Sequence, residues 1–311
     1  MYKIAIIGSG YMAREYARAI HDSNKLKVIA AMARDNTKLE NFAKDFDIPI
    51  IATTVEELYL KSKADLLLIS SSVESLEILA TQALNYPWEI LMEKPPGINL
   101  NSANRLSKLS QQYRKTIHVA LNRRFYSSVK NMEEKLNHFS EPRVIYVFDQ
   151  QDTLKAKKMG YEDIVIENWH YANSIHLVDL ILNFSRGEID KITTRNITLS
   201  SNSKIQLAEI LFNSGDLVFY RANWNIPGSW AVEIYVENIA LYLRPIETLS
   251  TLSLDSRNEN KQELSEWDSA FKPGLREIIN QIENLLSGLP SELTTIFESL
   301  KTMELISRIY E

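Results

Sequence analysis

Residues 3–13 read Lys-Ile-Ala-Ile-Ile-Gly-Ser-Gly-Tyr-Met-Ala. An apolar run ends at Gly8, and a helical pattern begins about two residues later, which predicts a strand, a tight turn and a helix. Gly8 permits backbone angles closed to other residues, Gly10 leaves room for a pyrophosphate, and Ala13 allows close contact between helix and strand. The stretch therefore predicts a dinucleotide-binding turn. The residues expected to contact the cofactor there are Gly8, Ser9, Gly10, Tyr11 and Met12.

A tight loop that binds no ligand would also place a glycine at such a turn. The context favours a cofactor, because the turn follows a fully apolar strand and a second strand follows at the expected separation. Later strands and helices alternate, and the strand over residues 65–69 is continuously apolar, as in a parallel sheet covered on both faces. The first part of the chain is therefore predicted to be a doubly wound parallel Rossmann sheet. The remaining strands are expected at residues 27–33, 49–52 and 89–92.

The end of the second strand bears on the choice of cofactor. Many Rossmann domains carry an acidic residue there that binds the ribose hydroxyls of NAD, whereas this chain has Ala33 and Arg34. Without the carboxylate a 2′-phosphate is not repelled, and an arginine supplies a bidentate partner and a flat surface for adenine. The cofactor is therefore expected to be NADP or NAD, with NADP slightly favoured. Stacking of Arg34 on the adenine of either cofactor is the alternative.

Polar side chains follow two central strands of the predicted sheet. Ser70 and Ser71 follow one strand, and Glu93 and Lys94 follow the next, before two prolines that stiffen the chain. Ligands of open α/β sheets collect at the carboxyl ends of the strands, so these residues are expected to contact the cofactor. Lys94 could also place its ammonium beside a reacting oxygen. Serines here can cap a helix instead, and a lone Glu-Lys-Pro turn is commonplace.

Beyond Asn122 the parallel pattern stops. A helix is expected over residues 128–139, and a second over residues 171–183. The strands alternate apolar and polar residues and are joined by short polar turns, which predicts an antiparallel sheet. Two domains are expected: a dinucleotide-binding domain at 1–121 and an α+β domain with an open, mainly antiparallel sheet at 122–311, whose last helix can pack back on the first. The strands are expected at 143–151, 188–199, 205–212, 217–224, 231–236 and 239–244.

Several motifs occur in one order and spacing along most of the chain. They are Gly-x-Gly-x-x-Ala at 8–13, Arg34-Asp35, Glu93-Lys94-Pro95, the run at 118–125, the run at 176–180, and a helical tail at 271–311. Together they resemble the Gfo/Idh/MocA family of NAD(P)-dependent oxidoreductases. The resemblance implies hydride transfer between nicotinamide and an alcohol or ketone of a sugar, polyol or sugar derivative. It also implies a homodimer or homotetramer formed through the sheet of the second domain.

The resemblance also implies roles for single residues. His176 would take the alcohol proton, a task that suits a reference pKa of about 6.5, and Lys94 would hydrogen-bond the same oxygen. The family pattern has an aspartate four residues before the histidine and a glycine two before it, whereas this chain has Ala172 and Ser174. The expected substrate-binding residues, some of which could replace the missing aspartate, are Asn122, Arg123, Tyr126, His170 and Asn173.

The missing aspartate keeps other functions open. A dinucleotide-binding protein that has lost turnover could act as a redox sensor or a scaffold, and a reductase of a conjugated double bond would have less need of an aspartate–histidine pair. His176 itself could be a packing residue, as most single histidines on amphipathic helices are. Asp179, one turn further, is interpreted as a structural partner rather than a catalytic group.

The segment between residues 152 and 168 is predicted to be a long loop that shapes the substrate pocket. Lys155, Lys157 and Lys158 could hold a phosphorylated or nucleotide-linked substrate, although a solvated charged loop is the simpler interpretation. Trp169 could stack on a sugar ring or plug the core. Trp230 could line a pocket, with burial at an interface as the commoner fate.

Composition limits the remaining possibilities. A chain of 311 residues with 45% hydrophobic residues suits two folded domains. The net charge of −5 gives no reason to expect nucleic acid or an anionic membrane as a partner. The absence of cysteine excludes disulfides, thiolate metal sites and a cysteine nucleophile, and no metal is expected. No apolar run approaches the roughly 18 residues of a membrane span, and a cytoplasmic location is expected.

Overall fold

The computed structural model describes residues 1–311, and contacts within it divide the chain into two compact units. The first contains Met1–Asn122 and Trp267–Lys301, and the second contains Arg123–Glu266 and Thr302–Glu311. The sequence-based division placed residues 122–311 in one domain and allowed the last helix to pack back on the first, and residues 267–301 pack with the first unit. The physical reason is an amphipathic helix, Leu275–Leu286, whose buried face packs on the helix that follows the first strand.

The first unit contains a sheet of six parallel strands in the order β3-β2-β1-β4-β5-β6. The strands are β1 (Tyr2–Ile7), β2 (Leu26–Met32), β3 (Ile50–Ala52), β4 (Leu66–Ile69), β5 (Glu89–Glu93) and β6 (Ile117–Ala120). This order confirms the predicted doubly wound Rossmann sheet. The strand order, not the strand direction, reverses between β1 and β4, and dinucleotides bind at such a reversal of order.

Burial explains why the strands of the first unit read as unbroken apolar runs. All four residues of β4 are buried, and Ile4, Ala5 and Ile6 of β1 are completely buried. Helices cover the sheet on both faces. The helices of this unit are α1 (Tyr11–His21), α2 (Asn36–Asp45), α3 (Val55–Ser62), α4 (Val73–Ala83), α5 (Leu100–Tyr113), α11 (Trp267–Ala270) and α12 (Leu275–Leu286).

The second unit contains an eight-stranded sheet in the order β14-β13-β12-β11-β7-β10-β9-β8. Its strands are β7 (Val144–Gln151), β8 (Ile189–Thr198), β9 (Lys204–Phe212), β10 (Leu217–Trp224), β11 (Ala231–Val236), β12 (Ile239–Leu243), β13 (Ser250–Ser253) and β14 (Asn260–Lys261). Neighbours pair antiparallel except β7 and β10, which are parallel. The predicted mainly antiparallel sheet is thus confirmed. The parallel pair is possible because a long segment of chain separates β7 from β10.

The helices of the second unit differ from the prediction in two places. The helix expected over 171–183 is interrupted at Asn173 and Ser174, whose side chains bond Gln151 and Tyr310 from distant parts of the unit. The predicted loop at 152–168 contains two short helices. The helical segments are a 3₁₀ turn (Asn122–Phe125), α6 (Ser127–Leu136), α7 (Thr153–Lys158), α8 (Asp163–Glu167), α9 (Trp169–Ala172), α10 (Ile175–Phe184) and α13 (Ile296–Tyr310), which enters this unit at Thr302. No helix of the structure has the length and apolar character needed to cross a membrane.

A buried ion pair anchors one end of the second sheet. The carboxylate of Asp216 is completely buried and accepts hydrogen bonds from the backbone N–H groups of Arg143 (2.9 Å) and Arg186 (2.8 Å). The guanidinium of Arg186 adds a contact of 2.7 Å from Nη2. Burial opposes ionisation, but these hydrogen bonds outweigh it and lower the pKa of Asp216. The charged form of Asp216 therefore stabilises the fold.

Replacing Asp216 by Asn is expected to lower the free energy of unfolding by about 2 kcal/mol, because a charge-assisted acceptor is lost. The wild type keeps this stabilisation above the unfolded-state pKa of about 3.9 and loses it as the pH falls through the lower folded-state value. Urea unfolding between pH 3 and 7 measures both effects. Asp190→Asn, an exposed control on β8, should change stability by less than about 0.5 kcal/mol. Equal effects of the two substitutions would contradict the assignment.

Candidate active site

Gly8 lies where β1 ends and is required by packing within the first unit. Its φ is +123°, and a Cβ at this position would lie 2.0 Å from the carbonyl oxygen of Ser70. The Gly8 N–H donates to the carbonyl of Met32 (2.8 Å), and the Ser70 N–H donates to the carbonyl of Ile7 (2.7 Å). The backbones of three neighbouring strand ends thus meet around a residue without a side chain. This close approach holds the following turn in place.

Gly10 serves a different purpose, because the protein itself leaves space above it. The residue is the N-cap of α1 in an extended conformation, and a Cβ there would meet no atom within 4 Å. No side chain caps the N–H groups in the first turn of α1, which include those of Tyr11 and Met12. Open space in front of uncapped amides at a helix N-terminus fits a pyrophosphate. Ser9 is buried at the turn, and Tyr11 is 65% exposed.

Arg34 lies at the end of β2, beside the loop that follows β4. Its side chain is 77% exposed, and Nη2 donates to the hydroxyl of Ser72 at 3.0 Å. The carboxylate of Glu74 is 3.7 Å from the same nitrogen. An anion bound by Arg34 would therefore compete with Glu74 for the guanidinium. Asp35 has a local role, because its side chain caps α2 by accepting from the N–H of Lys38 at 3.0 Å.

The serines after β4 form a small hydroxyl cluster. Ser71 Oγ lies 2.8 Å from Ser75 Oγ, and Ser72 Oγ lies 3.1 Å from it. Ser72 occupies the N-cap of α4, but its side chain makes no capping hydrogen bond. Ser70 and Ser71 are half-buried at the carboxyl end of the strand. The cluster thus presents hydroxyl groups where Rossmann sheets bind their ligands.

The segment after β5 is held by its buried neighbours. The hydroxyl of Tyr16 donates to Glu93 Oε1 at 3.0 Å, and Lys94 is half-buried before a cis peptide bond to Pro95. A Cβ at Gly97 would lie 2.4 Å from the N atom of Ala103, so the segment packs closely on α5. These contacts determine where the backbone of Lys94 lies. The side chain of Lys94 starts from the carboxyl end of a central strand, as the sequence predicted.

In the second unit, two predicted site residues lie against one indole ring, and a third lies beside one of them. The ring of His176 lies 5.9 Å from that of Trp230, centroid to centroid. The Arg123 guanidinium carbon lies 5.4 Å from the Trp230 ring and 5.6 Å from the Tyr126 ring, which are cation–π distances. Positions far apart in the sequence are therefore brought together. Trp230, which lies on the loop before β11, links them.

His176 is almost completely buried, with 1% of the residue exposed. It lies in the first turn of α10, directly after the helix break. Such burial is also what a packing histidine would show. Catalysis at this imidazole therefore requires a neighbouring side chain to move when substrate binds. Asp179 accepts two hydrogen bonds of 2.7 Å from Arg124, an arrangement that fits a structural partner.

A buried hydrogen-bonded chain lies beneath the helix break. The side-chain amide of Asn173 donates to Gln151 Oε1 at 2.8 Å, and the indole N–H of Trp169 donates to the same oxygen at 2.7 Å. Gln151 donates in turn to Asp149, which also accepts from the hydroxyl of Tyr220 at 2.7 Å. Burial raises the pKa of Asp149. The orientation of Asn173 is thus linked to a buried carboxyl group.

Sequence reasoning missed Asp149 and Gln151, although a signal was present. Residues of β7 alternate strictly between half-buried and buried, and these two lie at buried positions together with Ile145 and Val147. A polar residue at a position where alternation requires an apolar one must have hydrogen-bond partners. Such positions mark a buried polar network, and here the network reaches a predicted site residue.

The remaining predicted residues lie in specific packed environments. Asn122 is buried in the first unit, and its amide donates to the carbonyl of Pro273 at 3.2 Å. His170 lies with its ring 5.1 Å from that of Tyr310, and burial lowers the pKa of His170 to about 4. This histidine is therefore neutral at pH 7. Ala172, which stands in place of the family aspartate, is buried.

Two curated proteins share sequence similarity with parts of the chain. The uncharacterized oxidoreductase YgjR of Escherichia coli strain K12 is 31% identical over 101 residues, which are 32% of this chain and 30% of that protein. Glucose-6-phosphate 3-dehydrogenase of Bacillus subtilis strain 168 is 24% identical over 188 residues, 58% of this chain and 53% of that enzyme. The chain thus spans about a third to about half of the length of these relatives.

Solved structures show the same fold over nearly the whole chain. A dehydrogenase from Chromobacterium violaceum superposes with a TM-score of 0.86 at 17% identity, covering 99% of this chain and 94% of that one. UDP-N-acetylglucosamine 3-dehydrogenase GnnA from Acidithiobacillus ferrooxidans superposes with a TM-score of 0.78 at 14% identity, covering 99% and 96%. These likenesses establish the shared fold.

A family model matches the sequence of the first unit. Residues 2–121 match the family model named GFO_IDH_MocA and described as an oxidoreductase family with an NAD-binding Rossmann fold. The match covers β1 to β6, and with them the glycine turn and the segment that carries Lys94. Over these residues, the chain is similar to the Gfo/Idh/MocA family of oxidoreductases.

Proposed function

We propose that this protein is an NAD(P)-dependent oxidoreductase that transfers hydride between nicotinamide and an alcohol or ketone of a sugar, polyol or sugar derivative. The observation that carries the proposal is the space at Gly10, in front of uncapped amides and beside the reversal of strand order in a Rossmann sheet. The names of two similar proteins support the substrate class, because both include a sugar that carries phosphate.

The proposed chemistry divides the oxidation of an alcohol into two transfers. When bound, NAD(P) would supply the acceptor for the hydride that leaves the carbon, and His176 would accept the proton that leaves the oxygen. Lys94 donates a hydrogen bond to that oxygen and stabilises the negative charge that develops on it. In the reverse direction His176 returns the proton. Arg123, Tyr126 and Asn173 are proposed to bind the other polar groups of the substrate.

The second unit retains an acidic group despite Ala172. Asp149 is joined through Gln151 to Asn173, which lies immediately before the helix that carries His176. We propose that these hydrogen bonds orient Asn173 toward the substrate, where it takes the place of the family aspartate. The buried carboxyl group acts through hydrogen bonds and makes no direct contact with the reacting oxygen.

A homo-oligomer through the open face of the second sheet is also proposed. Tyr146 and Phe219 stack there with ring centroids 5.1 Å apart, and Tyr235 meets Tyr146 edge to face at 5.8 Å. Aromatic side chains on a half-buried sheet face are typical of subunit contacts. The proposal thus rests on the apolar character of this face and on the family resemblance.

Gly10→Val is expected to raise the Kd for NADH and NADPH by at least about tenfold, because the new side chain would occupy the pyrophosphate space. The protein itself should tolerate the change, since a Cβ meets no atom within 4 Å and the backbone is extended. Fluorescence titration measures the Kd, and thermal unfolding serves as the control for folding. An unchanged Kd in a normally folded variant would contradict a cofactor at this turn.

Lys94→Ala and His176→Asn are each expected to lower kcat/KM by about 10² to 10⁴, the usual contribution of a catalytic acid or base. Cofactor affinity should change by less than about threefold, because neither change removes the pyrophosphate contacts. Steady-state assays with a panel of sugars, sugar phosphates and nucleotide sugars provide the measurement. Full activity of either variant would exclude its assigned role.

The same panel, extended by a set of enones, separates the alternative functions. Tight binding of NADH or NADPH by the wild type without turnover of any sugar would favour a redox sensor or scaffold. The absence of an aspartate at Ala172 is the sequence feature that supports this alternative. Turnover of enones alone would favour a reductase of conjugated double bonds. Each result would replace the proposed reaction while leaving the cofactor site in place.

Arg34→Ala is expected to raise the Kd for NADPH by about tenfold and the Kd for NADH by less than about threefold, because a charge-assisted hydrogen bond to the 2′-phosphate would be lost. Glu74→Gln is the complementary variant, since removal of the carboxylate beside Arg34 should strengthen NADPH binding. Parallel titrations with both nucleotides provide the measurement. Equal losses for the two nucleotides in Arg34→Ala would show that Arg34 stacks on adenine and does not select NADP.

A further inference from the structure

The second unit contains a pocket of about 420 Å³. Its lining includes the C-terminal end of β7, α7, the indole of Trp169 and the loop that ends at Trp230. The volume lies within the range of small-molecule sites. The family match to residues 2–121 does not reach this pocket, and Asn173, proposed above to bind the substrate, lines it.

Two indole rings form fixed walls of the pocket. The N–H of Trp169 donates to Gln151 Oε1 at 2.7 Å, and the N–H of Trp230 donates to the carbonyl of Gln150 at 2.9 Å. Tyr161 meets Trp169 edge to face with ring centroids 5.2 Å apart. Each indole is thus held at its polar end. Trp169 is 8% exposed and the Arg123 guanidinium lies over the ring of Trp230, so a ligand would pack on the parts of the two rings that line the pocket. Such walls suit the apolar face of a sugar ring.

Buried hydrogen bonds hold the polar groups beneath the pocket. Gln151 is completely buried and binds Trp169 and Asn173 through one oxygen, while its amide group donates to Asp149. Because both ends of Gln151 are engaged, its orientation is determined, and with it that of Asn173. The pocket is therefore preorganised by groups that do not contact a ligand themselves.

One cation of the lysine cluster faces the pocket. Lys157 pairs with Asp163 at 3.5 Å, whereas Lys155 lines the pocket and has no carboxylate within ion-pair distance. Asp152 also lines the pocket, but its Oδ1 accepts from the backbone N–H of Lys155 at 2.7 Å and caps α7. A second cation, the guanidinium of Arg123, lies on the Trp230 ring. Lys155 and Arg123 thus supply two positive charges at or beside the pocket against the one carboxylate of Asp152, which favours an anionic group.

We infer that the pocket binds a sugar that carries a phosphate group, with the ring packed on the indoles of Trp169 and Trp230 and the phosphate bound by Lys155. The inference deepens the proposed function and rests on it. Trp230 also contacts His176, so a substrate held in this pocket extends toward the proposed base. A sugar monophosphate and the diphosphate of a nucleotide sugar share this chemistry.

The test compares ligand affinities by quenching of tryptophan fluorescence, checked by calorimetry. The probes are glucose 6-phosphate, UDP-N-acetylglucosamine, glucose and inorganic phosphate. The wild type is expected to bind one of the two phosphorylated sugars at least about tenfold more tightly than glucose or phosphate alone. Lys155→Gln should weaken that ligand by about tenfold and leave glucose unchanged. Lys158→Gln, an exposed control on the same helix that does not line the pocket, should change affinity less than about twofold.

The results separate the two sources of phosphate and also decide the inference. Preference for glucose 6-phosphate supports a monophosphate, and preference for the nucleotide sugar supports a diphosphate. Equal binding of glucose, equal binding of inorganic phosphate, binding of no probe, or equal losses in the two lysine variants would each overturn the inference. A separate titration with NADPH tests the proposed function, because a protein that binds phosphosugars but no dinucleotide would refute hydride transfer and leave this pocket intact.

Discussion

The close approach of β1 to the end of β4 is the constraint on which the first unit depends. The backbone at Gly8 and the carbonyl of Ser70 come so near that no side chain fits between them. Hydrogen bonds from Gly8 to Met32 and from Ser70 to Ile7 join three strand ends at this point. Just beyond this point, at the carboxyl end of β1, α1 begins, and no side chain caps its first amides. The geometry that suits a pyrophosphate is therefore a result of strand packing.

The second unit depends on a different interaction, the polar chain built on β7. Asp149 and Gln151 occupy buried positions of an otherwise apolar strand face, and each is satisfied by hydrogen bonds. A buried polar network of this kind stabilises one arrangement of its members, because an alternative would leave a polar group unpaired. Here that arrangement orients Trp169 and Asn173. These hydrogen bonds order Asn173 and Trp169 beside Ala172 without a carboxylate at that position.

Burial and neighbouring groups determine the ionisation state of the titratable side chains. Asp216 stays ionised because hydrogen bonds to its charged form outweigh burial, whereas burial dominates at Asp149 and raises its pKa. His170 is neutral at pH 7 because burial lowers its pKa to about 4. Arg34, by contrast, is largely exposed and engages Ser72 and Glu74 only at the surface. A side chain in that setting can exchange its partners when an anion binds.

The sequence alone determined the Rossmann sheet, the glycine turn and the residues that follow β4 and β5, because apolar periodicity and glycine geometry act over a few neighbouring residues. It also indicated Arg123, Tyr126 and His176 through family motifs. Only the tertiary structure placed residues 267–301 in the first unit, paired β7 with β10 in parallel and interrupted the helix at Asn173. It also placed the ring of Trp230 against His176 and Arg123, and it placed Asp149 and Gln151 where they hydrogen-bond residues that line the pocket. These features arise from contacts between distant segments, which no local pattern in the chain specifies.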